Sequence, residues 1–345
     1  MRLLLVTRGF PPRSGGVETL CRQLAEGFAA RGDEVTVVTF GGRLARPTRQ
    51  TGHGHTVLRL PSRGGAFEWS GALVPLLRRL DADVCHVHNL HSSVAAGVWA
   101  SGRRPYVLTA HYHGAGHSAV ARLAHRPYRP LARRIVAGAA FVTAVSDSEA
   151  SLVERDFGVR PEVIPNGIPL FSVAAEPTST ILVVSRLEPY KRVDAVLRAL
   201  PLLPAFRLHI VGDGPARAGL ERLAAGLGVR GRVTLTAPTL PDLHRVYGEA
   251  AVYVNLSAAE AFSYTVLEAL SAGTPVVTSG DAALAEWSRR FPDAVRTADP
   301  ADPAAVAAAI QTLAGRRAHV DLSRYDLPAV LDAYQRLYER LWVRV

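Results

Sequence analysis

"TILVVSRLEPYKRVD", residues 180–194, sets the plan of this chain. A β-branched apolar run stops at Ser185, a charged loop follows, and a helical pattern opens behind it. That is the signature of a buried strand delivering a polar loop at its carboxyl end. The same pattern recurs in both directions along the chain. Before it come "RLLLVT", "EVTVVTF", "VCHVHN", "YVLTAH" and "FVTAVS"; after it come "FRLHIVG", "RVTLTA", "AVYVNLS" and "PVVTSG". Helical stretches such as "GVETLCRQLAEGFAARG", closing on Gly32, lie between them. Strands alternating with helices predict parallel sheets with crossover helices, an α/β fold. Near "EVIPNGIPLFSVAAEPTST" the periodicity stops, which predicts a linker over residues 166–179.

A chain of 345 residues exceeds one ordinary core. Two doubly wound, Rossmann-like domains are therefore expected, residues 1–168 and 169–326, facing a cleft. The amphipathic segment 327–345 forms a C-terminal helix that packs back toward the first domain. With 48% hydrophobic and 20% charged residues the composition is globular. Two cysteines are no disulfide framework and suit a reducing cytoplasm. The opening "MRLLLVTRGF" reads as a first strand rather than a signal peptide. The first 168 residues carry 21 arginines against 12 acids, whereas the remainder is nearly balanced. That asymmetry suits an anionic partner: nucleic acid, a phosphorylated substrate, or weak contact with the inner membrane face.

Ligands of open parallel sheets bind beyond the carboxyl ends of the strands. In the second half this rule selects Arg186, the "GDGP" loop at Gly212–Pro215, and "SAAEAFSYT". A helix beginning near Ser263 offers the N–H groups of Tyr264, Thr265 and Val266 to an anion. Glu260 stands beside that anion and Glu268 across the helix start, as expected of carboxylates accepting sugar hydroxyls on either side of a diphosphate. Lys191 is the single lysine among 40 basic residues. A compact ammonium and the fork of Arg186 both reach phosphates from this strand end. Taken alone, the stretch equally allows a local Arg186–Glu188 pair and a solvated lysine.

"GGVE", "VIPNGI", "SRLEPYKR", "VGDGP" and Glu260-x7-Glu268, in this order, resemble the retaining glycosyltransferases of the GT-B fold, family 4. The resemblance runs from residue 1 to about 340. It implies an acceptor domain followed by a nucleotide-sugar donor domain, and transfer from a UDP- or GDP-sugar to a glycan, lipid or small-molecule hydroxyl. Arg186 and Lys191 then hold the diphosphate, Glu260 the transferred sugar and Glu268 the ribose. Gly15, Gly16, Gly212 and the segment Phe262–Val266 line the donor site. The family often has glycine where this chain has Ser263. His111, at the end of "YVLTAH", is the expected hydrogen-bonding group at the reaction centre, with His88 and His113 as acceptor contacts. The resemblance also implies retention, with no cofactor beyond the co-substrate.

His86, His88 and His91 lack a cysteine or acid to complete a zinc set, so no metal is expected. Asp81 and Asp83 precede their strand and lie at the wrong sheet edge. "GDGP" lacks the spacing of a dinucleotide fingerprint. A nucleotide-sugar epimerase would need a base at the sugar ring, and a nucleic-acid binder would interleave aromatic with basic residues. Pro127 and Pro130 are expected to interrupt any helix through "HRPYRPLARR", residues 125–134.

Overall fold

A computed structural model describes residues 1–65, 68–114, 119–173, 175–237 and 242–342, with backbone only at 119–127, 282 and 342. The chain divides into two compact units, residues 1–167 with 327–345, and residues 168–326.

The first unit is built on β1 (Arg2–Val6), β2 (Glu34–Phe40), β3 (Thr48–Gly52), β4 (His55–Leu60), β5 (Val84–His88), β6 (Val107–Thr109), β7 (Phe141–Ala144) and β8 (Glu162–Val163). Their order is β3-β4-β2-β1-β5-β6-β7-β8, parallel except that β3 runs antiparallel to β4. Its helices are α1 (Gly16–Ala30), α2 (Leu73–Arg79), α3 (Ser93–Ala100), α4 (Ala119–Gly138) and α5 (Asp147–Phe157). Side chains of β1 alternate between two cores, as the period of a strand requires. Leu3 and Leu5 meet Leu20, Leu24 and Phe28 of α1, while Leu4 and Val6 meet Val87, Leu108 and Val94 on the opposite face.

The second unit contains β9 (Thr180–Val184), β10 (Arg207–Val211), β11 (Val233–Thr236), β12 (Val252–Asn255), β13 (Val276–Thr278) and β14 (Val295–Thr297), all parallel, in the order β11-β10-β9-β12-β13-β14. Its helices are α6 (Val193–Ala199), α7 (Arg217–Gly226), α8 (Leu243–Glu249), α9 (Tyr264–Ser271), α10 (Ala282–Arg290) and α11 (Pro303–Leu313). The strand order reverses between β9 and β12, so the loops behind these two strands diverge from a common point. That switch point is where such sheets bind ligands.

Residues 168–178 are tied to the second unit, with Ile168 N–H bonded to Tyr325 O at 3.0 Å and Phe171 N–H to Ser271 Oγ at 2.9 Å. The last helix, α12 (Leu327–Trp342), belongs to the first unit, where Tyr334, Leu337 and Tyr338 complete the core under α1. Among the described residues no helix is long and apolar enough to cross a membrane.

One expectation fails. α4 runs through both Pro127 and Pro130. A helix-interior proline costs about 3 kcal/mol. Here the carboxyl half of α4 is held by tertiary packing: Ala132 and Ile135 are fully buried, and Tyr128 Oη donates to Leu90 O at 2.7 Å. Tyr106 Oη also donates to Ile135 O.

Candidate active site

In the second unit the "GDGP" loop is stitched to the end of β9. Leu187 N–H reaches Asp213 O at 2.8 Å, and Ala216 N–H reaches Leu187 O at 2.9 Å. Gly212 permits this contact, since a Cβ there would lie 1.9 Å from the Ser185 carbonyl oxygen. Its requirement is thus met by backbone packing, and its service to the site is to fix the Arg186 loop. Across the switch point, Ala258 N–H bonds to Tyr190 O at 2.8 Å, joining the β12 loop to the β9 loop.

This junction brings Lys191 and Glu260 together. Nζ lies 2.5 Å from Oε1, with the two side chains 14% and 16% exposed. The sequence assigned them to different parts of one ligand and did not anticipate that they pair with each other. The ammonium also lies 5.1 Å from the Tyr190 ring centroid. Arg186 is exposed and donates to Tyr190 Oη at 3.1 Å, while Arg192 turns away to Asp281 at 2.9 Å.

Helix α9 begins at Tyr264, and Ser263 makes no side-chain cap bond to it. Its first-turn amides are therefore left without a side-chain cap, the arrangement that favours an anion. Ser263 has φ of 79°, a left-handed conformation natural for glycine. Here Asn255 Nδ2 donates to Ser263 Oγ at 3.0 Å, and Thr265 Oγ1 is 3.2 Å away. Asn255 Oδ1 in turn accepts from the Ser257 hydroxyl at 2.7 Å. Asn255 is a determinant of the loop that the sequence reading missed; its place at the end of "VYVN" was the available signal.

Phe262, expected among the donor contacts, is corrected. It is 5% exposed, packs against Trp287 and Tyr325, and its carbonyl accepts from Trp287 Nε1 at 2.8 Å. Phe262 anchors the loop from beneath. The Val266 side chain is likewise fully buried, leaving its backbone as the group it can offer. Glu268, on the second turn, accepts from Tyr247 Oη at 2.7 Å, and burial raises its carboxyl above the usual range.

In the first unit the carboxyl edge carries histidines. His111 follows β6 with φ of 47°. Buried Glu149 secures that turn, accepting from Tyr112 N–H at 2.7 Å and from Val145 N–H at 2.8 Å. His111 Nε2 lies 3.3 Å from His88 Nδ1, and the His88 ring lies 4.1 Å from His86. His86 is bonded to Tyr338 Oη and to Thr109 Oγ1, both at 2.7 Å. Burial holds His88 and His111 well below the ordinary histidine range and takes His86 down to about 3. His88 is wholly enclosed, so its assignment as an acceptor contact is corrected: it stands behind His111. His113 is exposed. Gly15 is the N-cap residue of α1, and a Cβ there would lie 2.4 Å from Glu18 Oε2. The anion beside Gly15 is thus the chain's own carboxylate. Asp83 clamps the Arg2 guanidinium at 2.7 Å, a structural use of the wrong-edge acids.

Two parallel α/β sheets, with polar loops gathered at a switch point and at a histidine edge, define the GT-B architecture of nucleotide-sugar enzymes. Sucrose-phosphate synthase of Thermosynechococcus elongatus has this fold, with TM-score 0.80 at 20% identity over 100% of both chains. HepE of Anabaena, solved in complex with UDP, gives 0.78 at 18%, over 99% of this chain and 100% of that one. Residues 14–170 match the model of Glycosyltransferase Family 4, and residues 178–316 that of Glycosyl transferases group 1. The chain belongs to this family of glycosyltransferases. Among curated relatives, a GDP-mannose-dependent alpha-(1-6)-phosphatidylinositol dimannoside mannosyltransferase of Mycobacterium tuberculosis is 29% identical, across 92% of this chain and 88% of its own. GDP-mannose:cellobiosyl-diphosphopolyprenol alpha-mannosyltransferase of Komagataeibacter xylinus is 28% identical, across 99% and 93%.

Proposed function

We propose that this chain transfers a hexose, with mannose from GDP-mannose the first choice, to a hydroxyl of a glycolipid or glycan, retaining the anomeric configuration and using no metal. The observation that carries the reading is the junction of the β9 and β12 loops, where Arg186, Lys191, Glu260 and the start of α9 converge. The donor's names come from the relatives; the residues supply its chemistry. Binding exchanges the Lys191–Glu260 pair for two new ones. The ammonium turns to a phosphate oxygen, and the freed carboxylate accepts sugar hydroxyls, so few charge-assisted bonds are lost on entry. Glu268 serves the ribose.

In the transfer the C1–O bond to the diphosphate breaks while the acceptor oxygen bonds C1 on the same face. The acceptor proton passes to the departing phosphate oxygen. Arg186, Lys191 and the α9 amides stabilise the charge that grows on the leaving group, an electrostatic contribution specific to the transition state. His111, kept neutral, serves as a hydrogen-bonding group at the sugar. On this reading Arg186 and Lys191 neutralise the diphosphate in place of a divalent ion, so turnover is expected to survive exhaustive chelation. Thermal shifts with GDP-mannose, UDP-glucose and GDP test the donor, because a ligand at 100 times its Kd adds about 2.7 kcal/mol. The product's anomeric configuration, read by NMR, tests retention. An inverted product, or activity that chelation removes and magnesium restores, overturns the corresponding part of the reading.

A further inference from the structure

The loops behind β1, β2 and β4 enclose a cavity of about 1090 Å³ at the carboxyl edge of the first sheet. Its walls carry Arg8, Arg13, Arg43 and Arg63 against one carboxylate, Glu68. Glu68 is 7% exposed and acts as a keel. It accepts both ends of the Arg13 fork at 2.7 and 2.9 Å, the Ser62 hydroxyl at 2.6 Å, and Arg8 Nε at 3.5 Å. Arg8 is held further by the Gly65 carbonyl at 3.1 Å. Two guanidiniums are thus positioned before any ligand arrives. Arg43 and Arg63 are exposed and have no carboxylate partner among the described residues. Beside them stands Trp69, 56% exposed, its backbone bonded both ways to Arg63 at 2.8 and 3.0 Å. An exposed indole on a pinned loop, next to a concave surplus of guanidinium, is not explained by the core or by the donor site.

We propose that this cavity seats the phosphate or diphosphate of a phosphorylated carbohydrate acceptor, with a sugar face or lipid neck against Trp69. The proposal rests on the transferase reading for the word acceptor; the anion site itself does not. Arginines converging from three loops fit an anion with several oxygens better than a single carboxylate, because each fork satisfies two acceptors. An indole presents a rigid apolar face to sugar C–H groups or an alkyl neck, with one N–H for a hydroxyl. A strand of nucleic acid would instead call for a groove with repeated stacking platforms.

The test uses the full chain. Titrate wild type, Arg43→Ala/Arg63→Ala and Trp69→Ala with mannose 1-phosphate, with inorganic phosphate, with mannose, and with phosphatidylcholine vesicles with and without phosphatidylinositol. GDP is titrated in parallel to report the donor site alone. The two arginines lack carboxylate partners, so their removal leaves the Glu68 keel in place. The double variant should bind phosphate-bearing probes at least tenfold more weakly, with GDP affinity unchanged and plain mannose bound poorly throughout. Trp69→Ala should weaken the sugar phosphate or the lipid vesicles further than inorganic phosphate. Loss confined to mannose 1-phosphate assigns a soluble acceptor; loss confined to the phosphatidylinositol vesicles assigns a lipid-borne one. Equal binding by wild type and double variant, no binding of either phosphate probe, or tighter binding of a single-stranded oligonucleotide overturns the proposal. Failure of GDP to bind wild type, with the phosphate probes still arginine-dependent, would remove the donor assignment and leave this site standing.

Discussion

Behind His111 lie two further histidines, enclosed by Thr109, Tyr334 and Tyr338 and linked through neutral hydrogen bonds. Beside Glu260 lies an ammonium, partly exposed and linked through charge. Both clusters sit at carboxyl edges of parallel sheets, and they are stabilised by opposite means. The histidine ladder is held because burial disfavours its ionisation and hydrogen bonds tie His86 at both ring nitrogens and His88 to His111. Among the described residues His88 Nε2 is buried without a hydrogen-bond partner. The Lys191–Glu260 pair is exchangeable: the ammonium can trade the carboxylate for a phosphate oxygen, and the carboxylate can trade the ammonium for hydroxyl donors. One cluster presents a fixed group, and the other presents a pair that opens.

Acidification should break the first cluster before the second. An unfolded histidine takes a proton near its ordinary value of 6.5, whereas His86 resists until about 3, and His88 and His111 are also held low. Below the ordinary value the unfolded chain binds more protons, so stability rises with pH and falls on acidification. Three histidines can contribute about 4 kcal/mol per pH unit in that window, at ~1.4 kcal/mol per proton. Urea midpoints of the first unit's transition at about pH 7 and about pH 5 read this directly. A His86→Gln chain should show a shallower dependence; the same slope in both would exclude the ladder as its source.

The exchangeable pair predicts an asymmetry. If the ammonium turns to the leaving diphosphate as proposed, Lys191→Ala should lower kcat/KM by about 10- to 150-fold, or ~1.5–3 kcal/mol. Lys191→Arg should recover part of it, since a fork fits less well beside Tyr190. Glu260→Ala should also cut turnover yet leave the affinity for bare GDP unchanged or higher, because Lys191 no longer has a competing partner. A fall in GDP affinity with Glu260→Ala equal to that with Lys191→Ala would mean the pair does not exchange.

The ladder's fixed polarity is tested at His88. An orphan lone pair on buried Nε2 is less costly than an orphan N–H, so His88 should carry its proton on Nδ1 and donate to His111 Nε2. His111 then presents Nδ1–H outward. Asn at position 88 keeps a donor there, and isosteric Asp reverses it. His88→Asn should retain most turnover and His88→Asp lose roughly tenfold. Imidazole nitrogen shifts should report the change of His111 tautomer in the Asp variant only. Equal activity for both variants would reduce His88 to packing.

The strands that carry these clusters were legible because each is an apolar run ending in a polar residue. β3, β4, β8 and β14 were not, for physical reasons; β8 is only two residues long and neither is buried. β3 is exposed along its whole length, and two of the three residues of β14 are exposed, so neither shows a burial pattern. β4 is half-buried and was hidden beside it. Residue types near the donor were legible as motifs, but the partners were not. Lys191 and Glu260 are 69 residues apart, and only the order of β9 beside β12 brings them into contact. Ser263 shows the converse: its departure from glycine is visible in sequence, whereas the Asn255 bond that accommodates it is visible only in the fold. The two prolines of α4 misled because local propensity yields to tertiary packing.

The smallest expected effect lies at Glu268, where the two modes of stabilisation meet in one residue. It is an acid like Glu260, yet burial raises its proton affinity, the same desolvation that acts on the ladder. A carboxyl raised above its unfolded value of 4.5 binds its proton more tightly in the folded chain. Its favourable contribution is therefore present at low pH and lost as pH rises through the folded value, so at neutral pH the ionised form is a net cost. Gln at this position removes the charge and keeps an oxygen for the Tyr247 hydroxyl. Glu268→Gln should raise Tm by a few degrees at neutral pH, with the difference vanishing toward about pH 4. If the carboxylate holds the ribose, the same substitution weakens GDP binding while the chain becomes more stable. Movement of the two readouts in opposite directions separates a site residue from a merely structural one. A lower Tm would show that Tyr247 requires the charge, and unchanged GDP affinity would take Glu268 out of the donor site.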